Sequence, residues 1–338
     1  MTDQDTKTIT KLVDRFGRVH DSVRVSVTDR CNIRCFYCMP ASDAQFMPRD
    51  WLLSFEEIHA LVELLVRRAG VRQIRLTGGE PLVRKQIARL VEMLAAIDGL
   101  ADLSLTTNGI LLADHAAELR AAGLRRVNVS LDSLSEETFQ RISRRTGVDK
   151  VIAGIDAAID AGFDSVKLNT IAIRGITEPE VIRLIEFADS RKVPLRFIEF
   201  MPLDTDKAWQ SQDVLTGDEL LRMVEDHFGQ VVARSRPHPS QPAEDFLLPG
   251  GGQIGIIRSV TAPFCGACNR LRITADGSIR NCLFAQDEVS LRDLIRGGAT
   301  DDEVLAEIQR CVSAKKAGHG IDDDGFTPPE RPMYAIGG

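Results

Sequence analysis

Short runs of β-branched and apolar residues alternate with longer stretches of helical periodicity between residues 22 and 200. Short runs rich in Val, Ile and Thr predict strands, and apolar residues that recur every three to four positions predict helices. The predicted strands cover 22–28, 72–77, 103–108, 125–132, 165–173 and 194–201. The predicted helices cover 54–70, 85–97, 113–122, 149–162, 179–191 and 217–228.

The helix predicted over 54–70 carries signals for both of its ends. Ser54 can accept a hydrogen bond as the N-cap residue, and Glu57, three positions later, completes a capping box. Gly70 follows the last apolar position and can adopt the left-handed conformation that ends a helix. The sequence therefore predicts a helix that begins after Ser54 and ends at Gly70.

The alternation of strands and helices predicts βα units, whose crossovers place the strands parallel in one sheet. Because six units are fewer than the eight of a closed barrel, we expect an α/β fold with an incomplete (βα)6 TIM-type barrel. A doubly wound sheet is the alternative, since periodicity does not separate the two. In both folds the functional groups belong at the carboxyl ends of the strands, so the candidate chemistry should lie on one rim.

The alternation ends after residue 203, and a proline-rich stretch at 236–252 follows the last predicted helix. We therefore divide the chain into an N-terminal arm at 1–14, a partial barrel at 15–235 and a smaller C-terminal α+β domain at 236–338.

Composition and charge limit the class of protein. The 338 residues are 43% hydrophobic and 27% charged, which is typical of a globular protein with a substantial core. The apolar runs are too short to cross a membrane, and the polar first residues do not resemble a secretory signal, so we expect a cytoplasmic protein without membrane partners. The net charge of −7 argues against a nucleic-acid-binding surface, and an anionic small molecule would need locally gathered basic residues.

Three cysteines, Cys31, Cys35 and Cys38, follow the first predicted strand with the spacing C-x3-C-x2-C. Clustered cysteines in a cytoplasmic chain indicate metal or redox chemistry rather than disulfides. A structural zinc needs four protein ligands and would have to take a remote fourth one. Three thiolates on a [4Fe–4S] cluster instead leave one iron open, where a reactant can bind.

This motif resembles that of the radical S-adenosylmethionine enzymes. Tyr37 stands where that superfamily places a residue beside the adenine of the cofactor, and the segment TGGEP at 77–81 resembles its glycine-rich segment, with Gly79 beside the methionine amino group. The resemblance implies that an electron from the cluster cleaves the sulfonium bond of S-adenosylmethionine. The resulting 5′-deoxyadenosyl radical then abstracts a substrate hydrogen, so the three cysteines are predicted to be catalytic as well as metal ligands.

A second cysteine set comprises Cys265, Cys268 and Cys282. The strand-like segments LRIT and SIRN flank Asp276-Gly277, a hairpin turn signal, and the hairpin would return Cys282 towards Cys268. A zinc ribbon is the alternative, and Cys311 could supply its fourth ligand. Because Cys311 shares helical spacing with apolar residues, we expect it on a buried helix face and favour a second cluster held by three cysteines.

The two cysteine sets and the terminal Gly337 and Gly338 together resemble the GTP 3′,8-cyclase family, lyases of molybdenum cofactor biosynthesis. The resemblance implies two [4Fe–4S] clusters, S-adenosylmethionine as cofactor and GTP as substrate, with the guanine on the open iron of the second cluster. It also implies that the radical takes hydrogen from ribose C3′ and that the carbon radical attacks C8. Another twin-cluster radical enzyme, such as a peptide-modifying one, is the alternative within this chemistry. A non-enzymatic zinc or electron-transfer protein is the alternative outside it.

The resemblance also assigns individual residues. Guanidinium forks suit phosphate oxygens, and the expected GTP contacts are Arg24, Arg75, Thr106, Lys167, Arg270, Leu271 and Arg272. The expected contacts with S-adenosylmethionine are Tyr37, Gly79, Ser130 and Met201, with Arg196 near the cofactor. Gly337 and Gly338 are expected to reach the active site and to act in turnover.

The family further suggests a homodimer and a flavodoxin- or ferredoxin-type reductant. It also suggests that cyclic pyranopterin monophosphate synthase takes over the product.

Overall fold

The computed structural model describes residues 9–40, 44–203, 209–321 and 323–337. Its strands are β1 Ser22–Ser26, β2 Gln73–Thr77, β3 Asp102–Thr107, β4 Arg126–Ser130, β5 Ser165–Ala172, β6 Leu195–Glu199, β7 Val232–Ala233, β8 Glu244–Leu247, β9 Gln253–Ile257, β10 Arg270–Ile273, β11 Ser278–Arg280 and β12 Val289–Ser290. Its α-helices are α1 Phe55–Ala69, α2 Ile87–Ala95, α3 Leu112–Ala121, α4 Glu136–Ser143, α5 Val148–Asp160, α6 Val181–Ser190, α7 Gly217–Phe228, α8 Leu291–Arg296, α9 Asp301–Ser313 and α10 Met333–Ile336.

The six predicted strands are confirmed as β1 to β6, which are parallel and lie side by side in chain order. A doubly wound sheet reverses its strand order at a switch point. From β1 to β6 the order does not reverse. The incomplete barrel is therefore the correct alternative.

Later strands extend this sheet at both of its edges. β9 pairs in parallel with β6 and is followed outwards by β8 and β7. At the other edge β10 pairs in parallel with β1 and is followed by β11 and β12. The C-terminal part of the chain thus shares one sheet with the barrel, and the boundary at residue 235 stays a prediction.

The capping signals operate as the sequence indicates. Ser54 accepts from the Glu57 backbone N–H and the Glu57 carboxylate accepts from the Ser54 N–H, while Gly70 ends α1 with a φ of 70°. The turn at Asp276-Gly277 joins β10 to the antiparallel β11, as predicted. The short helix α4 was not predicted, although Ser135 caps it by accepting from the Thr138 N–H.

Alternation along the parallel strands separates an apolar layer from a polar lumen. In β5, Val166 and Leu168 are buried in the hydrophobic core that the helices cover. Lys167 and Asn169, at the intervening positions, are only partly buried and line cavities. The strands therefore present charged and polar side chains to the lumen. None of the helices in the described ranges is long and apolar enough to span a bilayer.

Candidate active site

Two adjoining cavities lie in the lumen. The upper cavity has a volume of about 320 Å³ and is lined by residues at the carboxyl ends of the strands and by both cysteine sets. The lower cavity has a volume of about 210 Å³ and is lined by residues nearer the amino ends of the strands. Arg24, Arg75 and Arg270 line both. The candidate residues were expected on one rim of the sheet, and the upper cavity at the carboxyl ends of the strands is that rim.

The first cysteine loop is fixed by its backbone. Cys35 O accepts from the backbone N–H groups of both Cys38 and Met39, which closes a tight turn. The N–H of Arg34 and that of Phe36 donate to the last turn of α4 at 2.8 and 3.1 Å. The unpredicted helix α4 therefore supports the loop that carries the first three thiols.

The GGEP segment is tied to the same loop. Gly79 N–H donates to Thr28 O at 2.7 Å and Glu80 N–H to Arg30 O at 2.8 Å. A Cβ at Gly79 would lie 2.5 Å from Arg30 O, so only glycine permits this approach. Gly79 is expected to contact the cofactor, and this backbone packing is a second reason for glycine there.

The Glu80 carboxylate is buried and connects β2 to the end of β3. It accepts from Leu82 N–H at 3.0 Å, Asn108 N–H at 2.7 Å and Thr107 Oγ1 at 2.8 Å. Burial raises the pKa of Glu80 to about 7 even though these three donors favour the charged form. Asn108 Nδ2 in turn lies 3.7 Å from Cys31 Sγ. Glu80 thus helps to position a neighbour of the first cysteine set.

Tyr37 is held at the wall of the upper cavity by Asp132. The Tyr37 hydroxyl donates to Asp132 Oδ2 at 2.6 Å, and Asp132 Oδ1 accepts from Ile171 N–H at 2.8 Å. Ser130 and Met201, which end β4 and follow β6, line the same cavity. The residues predicted to contact S-adenosylmethionine, including Gly79, are therefore brought together.

The second cysteine set lies on both sides of the β10–β11 hairpin, with Cys265 and Cys268 before β10 and Cys282 after β11. Cys268 N–H donates to Cys265 O at 3.2 Å, and Cys282 lies just beyond β11 on the wall of the upper cavity. Arg18 Nη1 donates to Cys265 O at 2.6 Å. The hairpin therefore returns Cys282 to the other two cysteines, as the sequence predicted.

The two cysteine sets fit iron–sulfur clusters. All six thiols are free. Burial raises the pKa of Cys35, and the charges of Asp132, Cys38 and Cys31 add to this effect. Burial likewise raises the pKa of Cys265, and the nearby Cys282 and Cys268 add to it, so the thiols of each set are close enough for thiolate charges to repel. Each set offers three thiols to the wall of one cavity, and three thiolates can hold three irons of a [4Fe–4S] cluster. The donor chemistry of both sets therefore fits such a cluster.

The two sets differ in electrostatics. Burial, with the nearby Glu80 charge, raises the pKa of the Cys31 thiol to about 11. Burial alone would also raise the pKa of Cys268, but the charges of Arg270 and Lys315 lower it to about 7. The second set thus lies in an electropositive environment. Cys311 lies on α9 against the hydrophobic core and does not line the upper cavity, which confirms the predicted helix face.

A row of arginines lines the upper cavity together with the two cysteine sets. Arg24 on β1 is in register with Arg75 on β2 and with Arg272 on β10. None of the three makes an ion pair with a carboxylate of the described residues. Burial, together with the neighbouring positive charges, lowers the pKa of Arg75 to about 10 and that of Arg272 to about 9, and also lowers that of Arg24. The row concentrates positive charge on the wall of the upper cavity, with Arg272 buried and Arg24 and Arg75 partly buried.

The remaining predicted contacts are distributed over both cavities. Thr106 and Arg196 line the upper cavity, and Lys167 and Arg196 line the lower one. Arg270 lies on the cavity wall with its guanidinium over the Phe264 ring, 4.3 Å from the centroid. Leu271 differs from its neighbours because its side chain is buried in the hydrophobic core. Leu271 can therefore reach a ligand only through its backbone.

The C-terminal segment lies inside the barrel. Tyr334 and Ile336 of α10 are buried, and Gly337 O accepts from Arg272 Nη1 at 2.8 Å. Gly337 has a φ of 89°, and a Cβ there would lie 2.6 Å from Ser26 Cβ, so the position requires glycine. Gly338, for which a role in turnover is expected, lies outside the described residues.

Comparison with known proteins identifies both parts of the chain. The model of the Radical SAM superfamily matches residues 25–188, and the Molybdenum Cofactor Synthesis C model matches residues 193–321. A GTP 3′,8-cyclase of Rhodopirellula baltica is 63% identical over 330 residues, which cover 97% of this chain and 92% of that protein. The chain belongs to the GTP 3′,8-cyclase family. A second member, from Corynebacterium glutamicum, is 45% identical over 97% of this chain and 89% of its own length.

Membership in the GTP 3′,8-cyclase family makes the chain a radical S-adenosylmethionine enzyme, which implies that cofactor and one [4Fe–4S] cluster. The fold agrees with a solved structure, native anSMEcpe with bound AdoMet, at a TM-score of 0.57 over 93% of each chain and 14% identity. At that identity the likeness concerns the fold alone.

Sequence reasoning missed two basic residues beside the second cysteine set. Lys315 Nζ lies 3.5 Å from Cys268 Sγ, and Arg18 holds the Cys265 carbonyl. Lys315 is followed by Lys316, which is exposed, so the sequence alone gives no signal that separates the two.

Proposed function

We propose that the protein is a GTP 3′,8-cyclase that converts GTP to (8S)-3′,8-cyclo-7,8-dihydroguanosine 5′-triphosphate with S-adenosylmethionine and two [4Fe–4S] clusters. The observation that carries the proposal is the row formed by Arg24, Arg75 and Arg272, which lines the same cavity as both sets of three cysteines and has no carboxylate ion pair among the described residues. A polyanionic nucleotide would neutralise this charge, and guanidinium forks match phosphate oxygens.

The lower cavity suits the triphosphate. Its lining contains Arg24, Arg75, Arg126, Lys167, Arg196 and Arg270, with Asp102 as the acidic residue. Asp102 is already bonded to Arg126, so it does not offset the other cations. Phosphates bound there would leave the ribose and guanine in the upper cavity, near the second cysteine set.

The chain's own residues would hold and orient both reactants. Cys31, Cys35 and Cys38 would hold the first cluster, which together with S-adenosylmethionine supplies a radical able to abstract hydrogen. Tyr37, fixed by Asp132, and the GGEP turn, fixed by Glu80, would orient the cofactor. Cys265, Cys268 and Cys282 would hold the second cluster, and α10 with Gly337 would limit the access of water.

Anaerobic incubation with GTP, S-adenosylmethionine and dithionite, followed by product analysis, tests the proposal. We expect about eight irons per chain and formation of 5′-deoxyadenosine together with the cyclised nucleotide. In Cys31→Ala both products should be lost. In Cys268→Ala slow cleavage of S-adenosylmethionine should persist without coupling to GTP. ATP serves as the matched substrate control, and an iron-loaded wild-type chain that leaves GTP unchanged would refute the proposal.

The product would enter molybdenum cofactor biosynthesis, which the match to Molybdenum Cofactor Synthesis C supports. The cytoplasmic location, the homodimer, the reductant and the hand-over to cyclic pyranopterin monophosphate synthase stay predictions from the family.

A further inference from the structure

Lys315 is a buried lysine, 4% exposed, just after the end of α9. Its ammonium donates to Arg270 O at 2.8 Å and lies 3.5 Å from Cys268 Sγ. Within the described residues it forms no ion pair with a carboxylate. A buried ammonium needs acceptors for its three N–H groups, and a sulfur that carries negative charge compensates its charge far better than a neutral thiol does.

The position of this ammonium is fixed from two sides. Val312, one turn before Lys315, is buried in the core and its carbonyl accepts from the Lys315 N–H at 3.0 Å. On the other side the Arg18 guanidinium donates to the carbonyls of Lys316 at 2.7 Å and Ala317 at 3.0 Å, and the same side chain binds Cys265 O. Arg18 is itself held by Asp14 through Nε at 2.6 Å. The segment that follows α9 is thus tied to the second cysteine loop.

We propose that Lys315 is a positioning residue for the second cluster, which donates a hydrogen bond to the Cys268 sulfur and raises the reduction potential of that cluster. The inference rests on the proposed function, because it takes Cys268 as a cluster ligand. A positive charge beside a ligand sulfur stabilises the more electron-rich reduced state, and hydrogen bonds to the sulfurs are among the factors that set cluster potentials. The bond to Arg270 O also holds the first residue of β10 in place.

The reduction potential of the second cluster measures this contact directly. A full-length chain with Cys31→Ala, Cys35→Ala and Cys38→Ala should load the second cluster alone, which allows a dithionite titration followed by electron paramagnetic resonance. In this background Lys315→Met is expected to lower the equilibrium constant for one-electron reduction about tenfold, a shift of about 59 mV to more negative potential. Lys315→Arg should restore most of the shift. Lys316→Met, which removes the neighbouring exposed charge, is the matched control and should leave the potential unchanged.

Iron content distinguishes a positioning role from a packing role. Loss of iron in Lys315→Met together with normal iron content in Lys315→Arg would support the inference. Arginine keeps a charged N–H donor at this position, whereas methionine has none. Equal iron loss in both variants, or a normal iron content with an unchanged potential in Lys315→Met, would overturn it. A background chain that binds no iron would overturn the second cluster and this inference together. A loaded cluster that is indifferent to position 315 would overturn the inference and leave the proposed function standing.

Discussion

The replacement Arg272→Ala should release the C-terminal segment from the barrel. Arg272 is 6% exposed, and its Nη1 donates to Gly337 O at 2.8 Å. A hydrogen bond from a charged donor contributes roughly 1.5–3 kcal/mol to stability. Because 1.4 kcal/mol corresponds to a factor of ten, the opening equilibrium of the segment should increase roughly 10- to 150-fold.

Amide hydrogen exchange of the last residues measures this opening. The N–H groups of Ala335 and Ile336 donate to Pro332 O, and the Gly337 N–H donates to Met333 O, so all three should be protected in the wild-type chain. In Arg272→Ala the C-terminal peptide should exchange faster by the factor given above. Unchanged exchange would refute the reasoning, because the contact would then contribute nothing to docking.

Arg270→Ala is the matched control, since Arg270 lies on the same strand. Its guanidinium stacks on Phe264, and exchange of the C-terminal peptide should therefore stay at the wild-type rate. Both variants should also lose a charge-assisted contact with GTP, Arg270 with the phosphates and Arg272 in the upper cavity, so GTP affinity measured by anaerobic calorimetry should fall roughly 10- to 100-fold in each. Unchanged affinity in both would remove the hairpin from the substrate site.

The other predictions concern pH, a buried carboxylate and the seventh cysteine. Burial and the charges of Arg196 and Arg126 lower the pKa of Lys167 to about 8, so the ammonium loses its charge as pH rises through that value. The affinity for GTP should therefore decline between about pH 7 and about pH 9. An equally steep decline in Lys167→Met would contradict this prediction. Glu80→Gln places an NH2 donor where two N–H groups and one hydroxyl need an acceptor. The free energy of unfolding, measured by urea titration, should fall by about 1–3 kcal/mol. An unchanged urea midpoint would show that these hydrogen bonds are dispensable. Cys311→Ala should keep the full iron content, and loss of about half would make Cys311 a cluster ligand.

Local signals predicted much of the fold. The helix α1 was bounded correctly because capping depends on residues three positions apart, and the β10–β11 hairpin because Asp276-Gly277 favours one turn type. Helix α4 was missed because it is short and polar, with only Phe139 and Ile142 as buried hydrophobic residues. Its last turn accepts two backbone hydrogen bonds from the first cysteine loop, a contact that no local pattern reveals.

The site was predictable where residue type alone carries the chemistry. The six cysteines were predictable because their spacing places them in two groups on loops. The arginines of the lumen were predictable because the alternation along the strands places them on one face of the sheet. The roles of Lys315 and Asn108 were not predictable, because each depends on contact with a cysteine sulfur that is 47 or 77 positions away in the sequence. Only the folded chain brings such pairs together.

The pairing of β1 with β10 has a consequence for synthesis in the cell. Asn269 Nδ2 bonds to Asp21 Oδ1 across 248 positions, so one edge of the barrel sheet stays open until the ribosome has made nearly the whole chain. At about 5–20 residues per second this interval lasts roughly 12–50 s. Open sheet edges pair readily with other strands, and non-local pairing folds slowly. The nascent chain should therefore bind general chaperones through the open edge at β1, and release from them should require translation past residue 273.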